Sequence, residues 1–372
     1  MLRYISLLLL FFPACFAAPG VTPVAKFHKV GFRTLGQWHV EDKLRLDVNV
    51  WYPSTHSPRV LNYDPWTIVA ALEGRPAEDR FPLLLLSHDS DGTRFSYHDT
   101  AARLASLGFV VASITHSGDG MYNMDTLFSL AQFQSRLREI SAMLDMLLEN
   151  PQVEQIIDRN RVGLIGFGAG AATALLIGGA LPDCGGWSDY CKRAGVSDSY
   201  CAPWADKRIS SLCAKLPLEK SPADPRIKAI AAVAPGYGML FSQDSFRWFY
   251  PPLLLVSAER DSINPPALHA AVLNLLLYSK ARYTTLEGAD AASLMAICPD
   301  SMSDDLPELC RSVSPAERSA IHQRLYNLLA DFFLHYLGSK NLPVIPAPPD
   351  LKKREEPSLE SEPERRRQRR SR

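Results

Sequence analysis

The chain has 372 residues, 47% of them hydrophobic and 9% aromatic, which excludes a collagen-like or wholly disordered protein and predicts a large buried core. Its 40 Lys and Arg balance 40 Asp and Glu, and a net charge of zero argues against a nucleic-acid-binding protein. The zero is a sum of unequal parts. Residues 351–372 hold nine Lys and Arg against five Asp and Glu, so the body upstream is mildly acidic and the tail basic.

Residues 1–17 read MLRYISLLLLFFPACFA: one Arg3, an apolar run from Ile5 to Phe12 too short to span a bilayer, then small residues. This is the pattern of a secretory signal cleaved after Ala17, and it predicts an exported, periplasmic or extracellular protein. Lipoprotein anchoring at Cys15 is the alternative, although Phe12 and Pro13 stand where an aliphatic and a small residue are expected. Beyond it, LRLDVNVWY (44–52) alternates apolar and polar residues, as an edge or antiparallel strand should. The continuous apolar runs 83–87, 110–114, 162–166, 230–234 and 253–257 read as strands covered on both faces. Helical patterns fall between them at 97–107, 130–149, 169–180 and 266–278. A last strand, RYTTL (282–286), precedes a long helix from Ser314 to Leu337, where Ser314 and Glu317 form a capping box around Pro315.

This alternation predicts an α/β protein with a mostly parallel central sheet flanked by helices. One segment breaks the rhythm: residues 181–224 lack a clear strand and carry four cysteines, and read as an insertion stapled over the sheet. With Cys298 and Cys310, the set Cys184, Cys191, Cys201 and Cys213 makes six cysteines after the leader, suited to three disulfides in an oxidising compartment. Spacing favours Cys298 with Cys310 and two bridges inside 184–213; no CxxC pair and no His in that stretch support zinc instead. Residues 339–372, a Pro-rich linker followed by alternating charge runs, read as a disordered basic tail able to contact a membrane surface or a protein.

In an open α/β sheet the chemistry sits where strands end. After VGLI comes GFGAG, Gly166 to Gly170, opening directly into a helix, the strand–turn–helix setting of a nucleophile elbow whose pattern is G-x-S-x-G. The central residue here is Gly168.

At these residues the chain resembles the exported dienelactone hydrolase-like and platelet-activating-factor acetylhydrolase-like branch of the α/β hydrolases, over residues 26–338. The blocks that carry the resemblance are PLLLLSHDSDGTRFSYHDTAARLASLGFVVASITHSGD, DRNRVGLIGFGAGAATAL, DPRIKAIAAVAPGYGMLF with PPLLLVSAERDSINPP, AICPD, and SPAERSAIHQRLYNLLADFFLHYL. The resemblance implies an α/β-hydrolase fold with the triad acid at Asp261, the nucleophile at Gly168 and the triad histidine at Asp290. It also implies an oxyanion hole built from the N–H groups of Asp89 and Ala169, with His88 a structural part of that loop. Two of the three triad functions are therefore missing, since neither Gly168 nor Asp290 can supply a hydroxyl nucleophile or an imidazole base. The histidines after Asp261 are His269, His322 and His335, all in helical patterns; His322 reads as a helix-packing or surface residue.

Ser87, Ser90, Ser117 and Ser257 end or follow strands and read as turn or strand-end residues; a pairing of Ser90 or Ser117 with His88 or His116 is the alternative. Asp89, Asp91, Asp119, Asp261 and Asp290, with His88 and His116, fall on loops at one sheet edge. They describe a pocket for a small ester-like or cationic ligand; a divalent cation is a further reading, against Asp residues that merely form turns. No cofactor is expected. The sequence thus predicts an α/β-hydrolase-fold pseudo-hydrolase with a binding or interaction role, and as its alternative an ester hydrolase working with non-standard residues.

Overall fold

A computed structural model describes residues 27–39, 44–216, 221–278 and 280–338. The leader 1–17, the linker and tail 339–372, and Cys15 lie outside the described residues.

The apolar runs form a parallel block. Its strands are β5 (Phe81–Ser87), β6 (Val110–Ile114), β7 (Ile157–Phe167), β8 (Ile227–Val233), β9 (Leu253–Ala258) and β10 (Ala281–Leu286). Ahead of them in sequence come β1 (Lys29–His39), β2 (Leu44–Ser54), β3 (Arg59–Tyr63) and β4 (Trp66–Leu72), and the ten strands run in the order β10-β9-β8-β7-β5-β6-β2-β1-β4-β3. The strand at 44–52 is antiparallel to both neighbours, β1 and β6, so it lies inside the sheet and not at its edge. Five of them bury both faces at their cores, while β10 at the sheet's edge stays partly exposed. Leu83 and Leu85 of β5 join one core cluster, and Leu84 and Leu86 join the other. Each such leucine contributes roughly 1.5–3 kcal/mol by leaving water.

Helices α1 (His98–Ser106) and α9 (Pro315–Leu337) cover the Leu84 side; α2 (Leu130–Glu149), α3 (Ala169–Ile177) and α6 (Ala270–Leu276) cover the other. The Ser314 capping box is present: Ser314 Oγ accepts from Glu317 N at 3.3 Å and Glu317 Oε2 accepts from Ser314 N at 3.0 Å. The 181–224 insertion carries two short helices, α4 (Trp187–Ala194) and α5 (Pro203–Cys213), closed by Cys184–Cys213 and Cys191–Cys201. Its Tyr190, Tyr200, Ile209 and Leu212 pack into the α2/α3 cluster. The third bridge, Cys298–Cys310, links the approach to α7 (Asp300–Asp305) with the end of α8 (Pro307–Cys310). Three disulfides fit an oxidising compartment. Among the described residues no helix is long and apolar enough to cross a membrane.

Candidate functional site

The turn between β7 and α3 is built as an elbow. Gly168 holds φ 53° and ψ −114°, a conformation open to glycine and costly for other residues. Its neighbours are glycine for space: a Cβ on Gly170 would stand 2.1 Å from the Ser87 carbonyl oxygen, and one on Gly166 would stand 2.1 Å from the carbonyl oxygen of Gly170. Strand, loop and helix therefore meet backbone to backbone, and Gly168 N donates to Val233 O at 3.1 Å to fix the turn on β8.

The missing side chain at the elbow is replaced in space by another residue. A Cβ on Gly168 would fall 1.9 Å from Asp89 Cγ and 2.0–2.1 Å from its two oxygens. Asp89 Oδ1 accepts from Ala169 N at 2.7 Å and from Ser90 N at 2.7 Å. The N–H of Ala169, assigned to an oxyanion hole, is thus taken by the chain's own carboxylate. Burial pushes the Asp89 carboxyl up to about 7, against the lowering effect of the Ala169 hydrogen bond, and Asp91 beside it adds to the rise. Asp91, at φ 62°, is itself raised to about 6 by burial and by Asp119.

The acid position is well formed and incomplete. Asp261, 4% exposed, follows β9, and its Oδ1 accepts from Ile263 N at 2.9 Å and Asn264 N at 2.8 Å. Its Oδ2 is buried and meets no donor. An imidazole from the loop after β10 would serve that oxygen, and the residue there is Asp290. Its Oδ1 accepts from Ser293 N at 2.7 Å and Ser312 Oγ at 3.1 Å, capping a short turn. Burial raises the Asp261 pKa, and the charge of Asp290 raises it further. The insertion reaches this loop: Tyr200 O–H donates to Asn264 Oδ1 at 2.7 Å.

His322 comes close without arriving. From α9 its Nε2 bonds Ser293 O at 2.9 Å, and its Nδ1 lies 2.8 Å from Asp99 Oδ2. It braces the loop that carries Asp290, the packing role expected of it.

The pocket candidates His88, His116 and Asp119 require correction: they are 0%, 1% and 0% exposed and belong to a buried polar string beneath the loops. His88 Nδ1 donates to Asp89 O, and its Nε2 accepts from His116 N at 3.0 Å, which fixes a neutral ring. Burial first, then the charges of His116 and Arg136, hold its pKa well below the usual value. His116 Nε2 lies 2.8 Å from Ser87 Oγ, and its Nδ1 lies 2.7 Å from Glu139 Oε2. Asp119 Oδ2 accepts from Arg136 Nε and Gln132 Nε2, both at 2.6 Å. Arg136 Nη1 also donates to His88 O at 2.7 Å, and so holds the loop that delivers Asp89.

Ser87, His116 and Glu139 therefore stand in serine–histidine–acid order, and sequence reasoning missed Glu139 and Arg136. The signal was available: Gln132, Arg136 and Glu139 share one face of α2 by spacings of four and three. Ser87 is 0% exposed, however, and Arg136 Nη1 stands 3.3 Å from its Oγ. Burial raises Glu139 to about 7 and lowers His116 well below its usual value, so the imidazole is held neutral. Ser90 is joined by Gln132 Nε2 at 3.1 Å, Ser117 N donates to Glu139 Oε1 at 3.1 Å, and Ser257 Oγ pairs with Thr285 Oγ1 at 2.9 Å. None of these three contacts is to a histidine.

Among the described residues no three His, Cys, Asp or Glu side chains are arranged to hold a metal ion. A groove of about 520 Å³ runs along α2, lined by Leu130, Phe133, Leu137, Leu176 and Leu212 among others, and shares no lining residue with the elbow or Asp261.

Neither a protein-family model nor a curated protein matches the chain. Among solved structures, a ferulic acid esterase from Streptomyces cinnamoneus superposes with a TM-score of 0.57 at 17% identity, covering 90% of this chain and 96% of that one. With the sheet order and the elbow turn, that likeness makes the described fold an α/β-hydrolase fold.

Proposed function

We propose that this is an exported α/β-hydrolase-fold protein of the dienelactone hydrolase-like branch that has lost triad hydrolysis and serves as a ligand-binding or interaction protein. The observation that carries the reading is the Asp89 carboxylate, which fills the space of the elbow side chain and occupies the Ala169 N–H. A carboxylate there repels the oxyanion that acyl transfer must create. The elbow has no hydroxyl, and Asp261 Oδ2 has no imidazole to orient. Export rests on the 1–17 leader and the three bridges; the basic tail is a contact element for a membrane surface or partner.

A second reading, an ester hydrolase using other residues, draws on the Ser87–His116–Glu139 order. The burial of Ser87 opposes it, because no acyl carbon reaches a hydroxyl at 0% exposure. Turnover of p-nitrophenyl acetate separates the two. The expected rate is the same background for the wild type, Asp261→Ala and Ser87→Ala. A wild-type rate that either substitution abolishes would reject the pseudo-hydrolase reading.

A further inference from the structure

Two residues of α9 hold the loop that carries Asp290, and only one of them can change its charge near neutrality. Arg318, 2% exposed, donates through Nη1 to Ala292 O at 2.8 Å and to Met295 O at 3.2 Å, and its guanidinium stays charged. His322, one turn further on and 3% exposed, meets an acceptor at each ring nitrogen. Its Nε2 stands 2.9 Å from Ser293 O, a carbonyl that only accepts, and its Nδ1 stands 2.8 Å from Asp99 Oδ2 on α1. The Asp99 carboxyl is built as an acceptor. Its Oδ1 takes Thr100 N at 2.7 Å and its Oδ2 takes the Tyr326 O–H at 3.0 Å. Burial pushes the Asp99 pKa up, but the hydrogen bond and charge of His322 outweigh burial and hold it below the ordinary carboxylate value. An ionised carboxylate brings no proton to the contact, so Nδ1 carries one and Nε2 carries the other. Tyr326 Oη also lies 3.2 Å from Nδ1, but its single hydrogen serves one neighbour at a time.

The other charged and titratable groups around the ring come from the same three elements. From α1, His98 has its pKa lowered by burial first, and Arg103 acts on Tyr326; from α9 come Arg318 and Tyr326; from the loop, Asp290 acts on Arg318. Asp99 is the carboxylate in contact with the ring. We infer that His322 is held as an imidazolium between α1 and the Asp290 loop and works as a proton-operated latch on that loop. A ring gaining an acid partner on folding favours its charged form, so the latch is closed at low pH and opens as pH rises. Opening passes one ring proton to solvent, which reaches the pair through the 21% exposed Asp99 side chain. The lone pair left behind faces either the Asp99 carboxylate or the Ser293 carbonyl at hydrogen-bond distance, and two acceptors in contact repel. Tyr326 relieves the Asp99 side only by giving up its own bond to Oδ2. Arg318 remains, so residues 290–296 loosen locally while α9 stays packed. The loop is tied to that of Asp261 through Arg260 N, which donates to Ala289 O at 2.7 Å, and the charge of Asp290 acts on Asp261. The latch therefore sets how firmly this edge of the site is held, whether the site binds or hydrolyses.

Nitrogen-15 NMR of the full chain at pH 7.5 tests the charge, with the ring assigned by its loss in His322→Gln. Both His322 nitrogens are expected to carry a proton in the wild type. In Asp99→Asn the amide can donate to Nδ1, and the ring is expected to keep only the Nε2 proton. Hydrogen exchange tests the latch. Between pH 6 and pH 9 the protection factors of the Ser293 and Ala296 amides, corrected for intrinsic exchange, are expected to fall about tenfold or more in the wild type and to stay level in Asp99→Asn. Those of Leu325 and Leu329 in α9 are expected to hold in both proteins, which separates local release from global unfolding. A wild-type ring with one proton at pH 7.5, or an equal fall in both proteins, overturns the inference. Should Asp99→Asn fail to fold, the wild-type ring spectrum alone decides. Ester turnover by the same sample would reject the function reading separately, since the latch does not depend on it.

Discussion

Two polar regions lie within the same loops, and they are built on opposite terms. The first, Gly168, Asp89, Asp261 and Asp290, has the geometry of a hydrolase site and leaves Asp261 Oδ2 unserved. The buried one, Ser87, His116, Glu139, Arg136 and Asp119, has the connectivity of a catalytic string and is sealed. Only Arg136 Nη2 and Asp119 Oδ1 lack partners within it among the described residues. The difference teaches that hydrogen-bond order does not identify a catalytic site; access and an unoccupied oxyanion hole do. The buried string instead positions the loop that carries Asp89, through Arg136 and His88.

Breaking the buried string should cost most. Arg136→Met leaves the Asp119 charge buried without its cation, held by Gln132 alone, and frees the His88 carbonyl, and is expected to lower stability by about 3–5 kcal/mol in urea unfolding. A loss under about 1 kcal/mol would show that the string does not hold the loop.

At the elbow region the steric claim is sharper. Gly168→Ser alone puts a Cβ into the Asp89 carboxyl at positive φ, and should destabilise by about 2–3 kcal/mol without conferring activity. Adding Asp89→Gly removes the collision, and the double-mutant cycle should return a coupling of about 1–2 kcal/mol. Additive effects would mean that Asp89 moves aside freely.

The pH dependence distinguishes the regions next. Asp89 titrates near 7 when folded against an ordinary 3.8, so between about pH 4 and 7 the folded state holds the extra proton and this group's contribution falls as pH rises through 7. Asp89→Asn removes that loss. Relative to the wild type it should gain about 1–2 kcal/mol at pH 8 over its value at pH 5, read from paired melting curves and discounted for partial exposure. The buried histidines act oppositely. His88 and His116 have depressed pKa values, so their neutral forms lose stability as pH falls below about 6.5 in both proteins alike. A variant-to-wild-type difference that does not change with pH would place Asp89 at an ordinary carboxylate pKa. Smallest of all, Ser314→Ala should cost about 1 kcal/mol through the lost cap on α9, with no effect on either region.

The sheet was legible because its central strands are covered on both faces. Runs such as VVASI have no polar side to hide, and β6 and α2 fall at 110–114 and 130–149 as expected. The hairpin β3–β4 was missed although Leu61, Trp66, Ile68 and Ala70 alternate inward, because its outward Val60 and Val69 blur the polar phase. The empty nucleophile and histidine positions could be read from the chain order of motifs. The Asp89 plug could not: its contact with Ala169 joins two loops 80 residues apart, and nothing in HDSDG states which way its aspartate turns. His116 and Asp119 misled for a related reason, since proximity to a strand end does not tell a pocket wall from the polar core under it.

The central claim is that neither the elbow nor the buried Ser87 offers an accessible nucleophile. Intact mass after treatment with a fluorophosphonate tests it directly, with the Gly168→Ser, Asp89→Gly, Asp290→His triple variant alongside. The wild type is predicted to remain unmodified while the triple variant gains one adduct. An adduct on the wild type that is lost in Ser87→Ala would contradict the account.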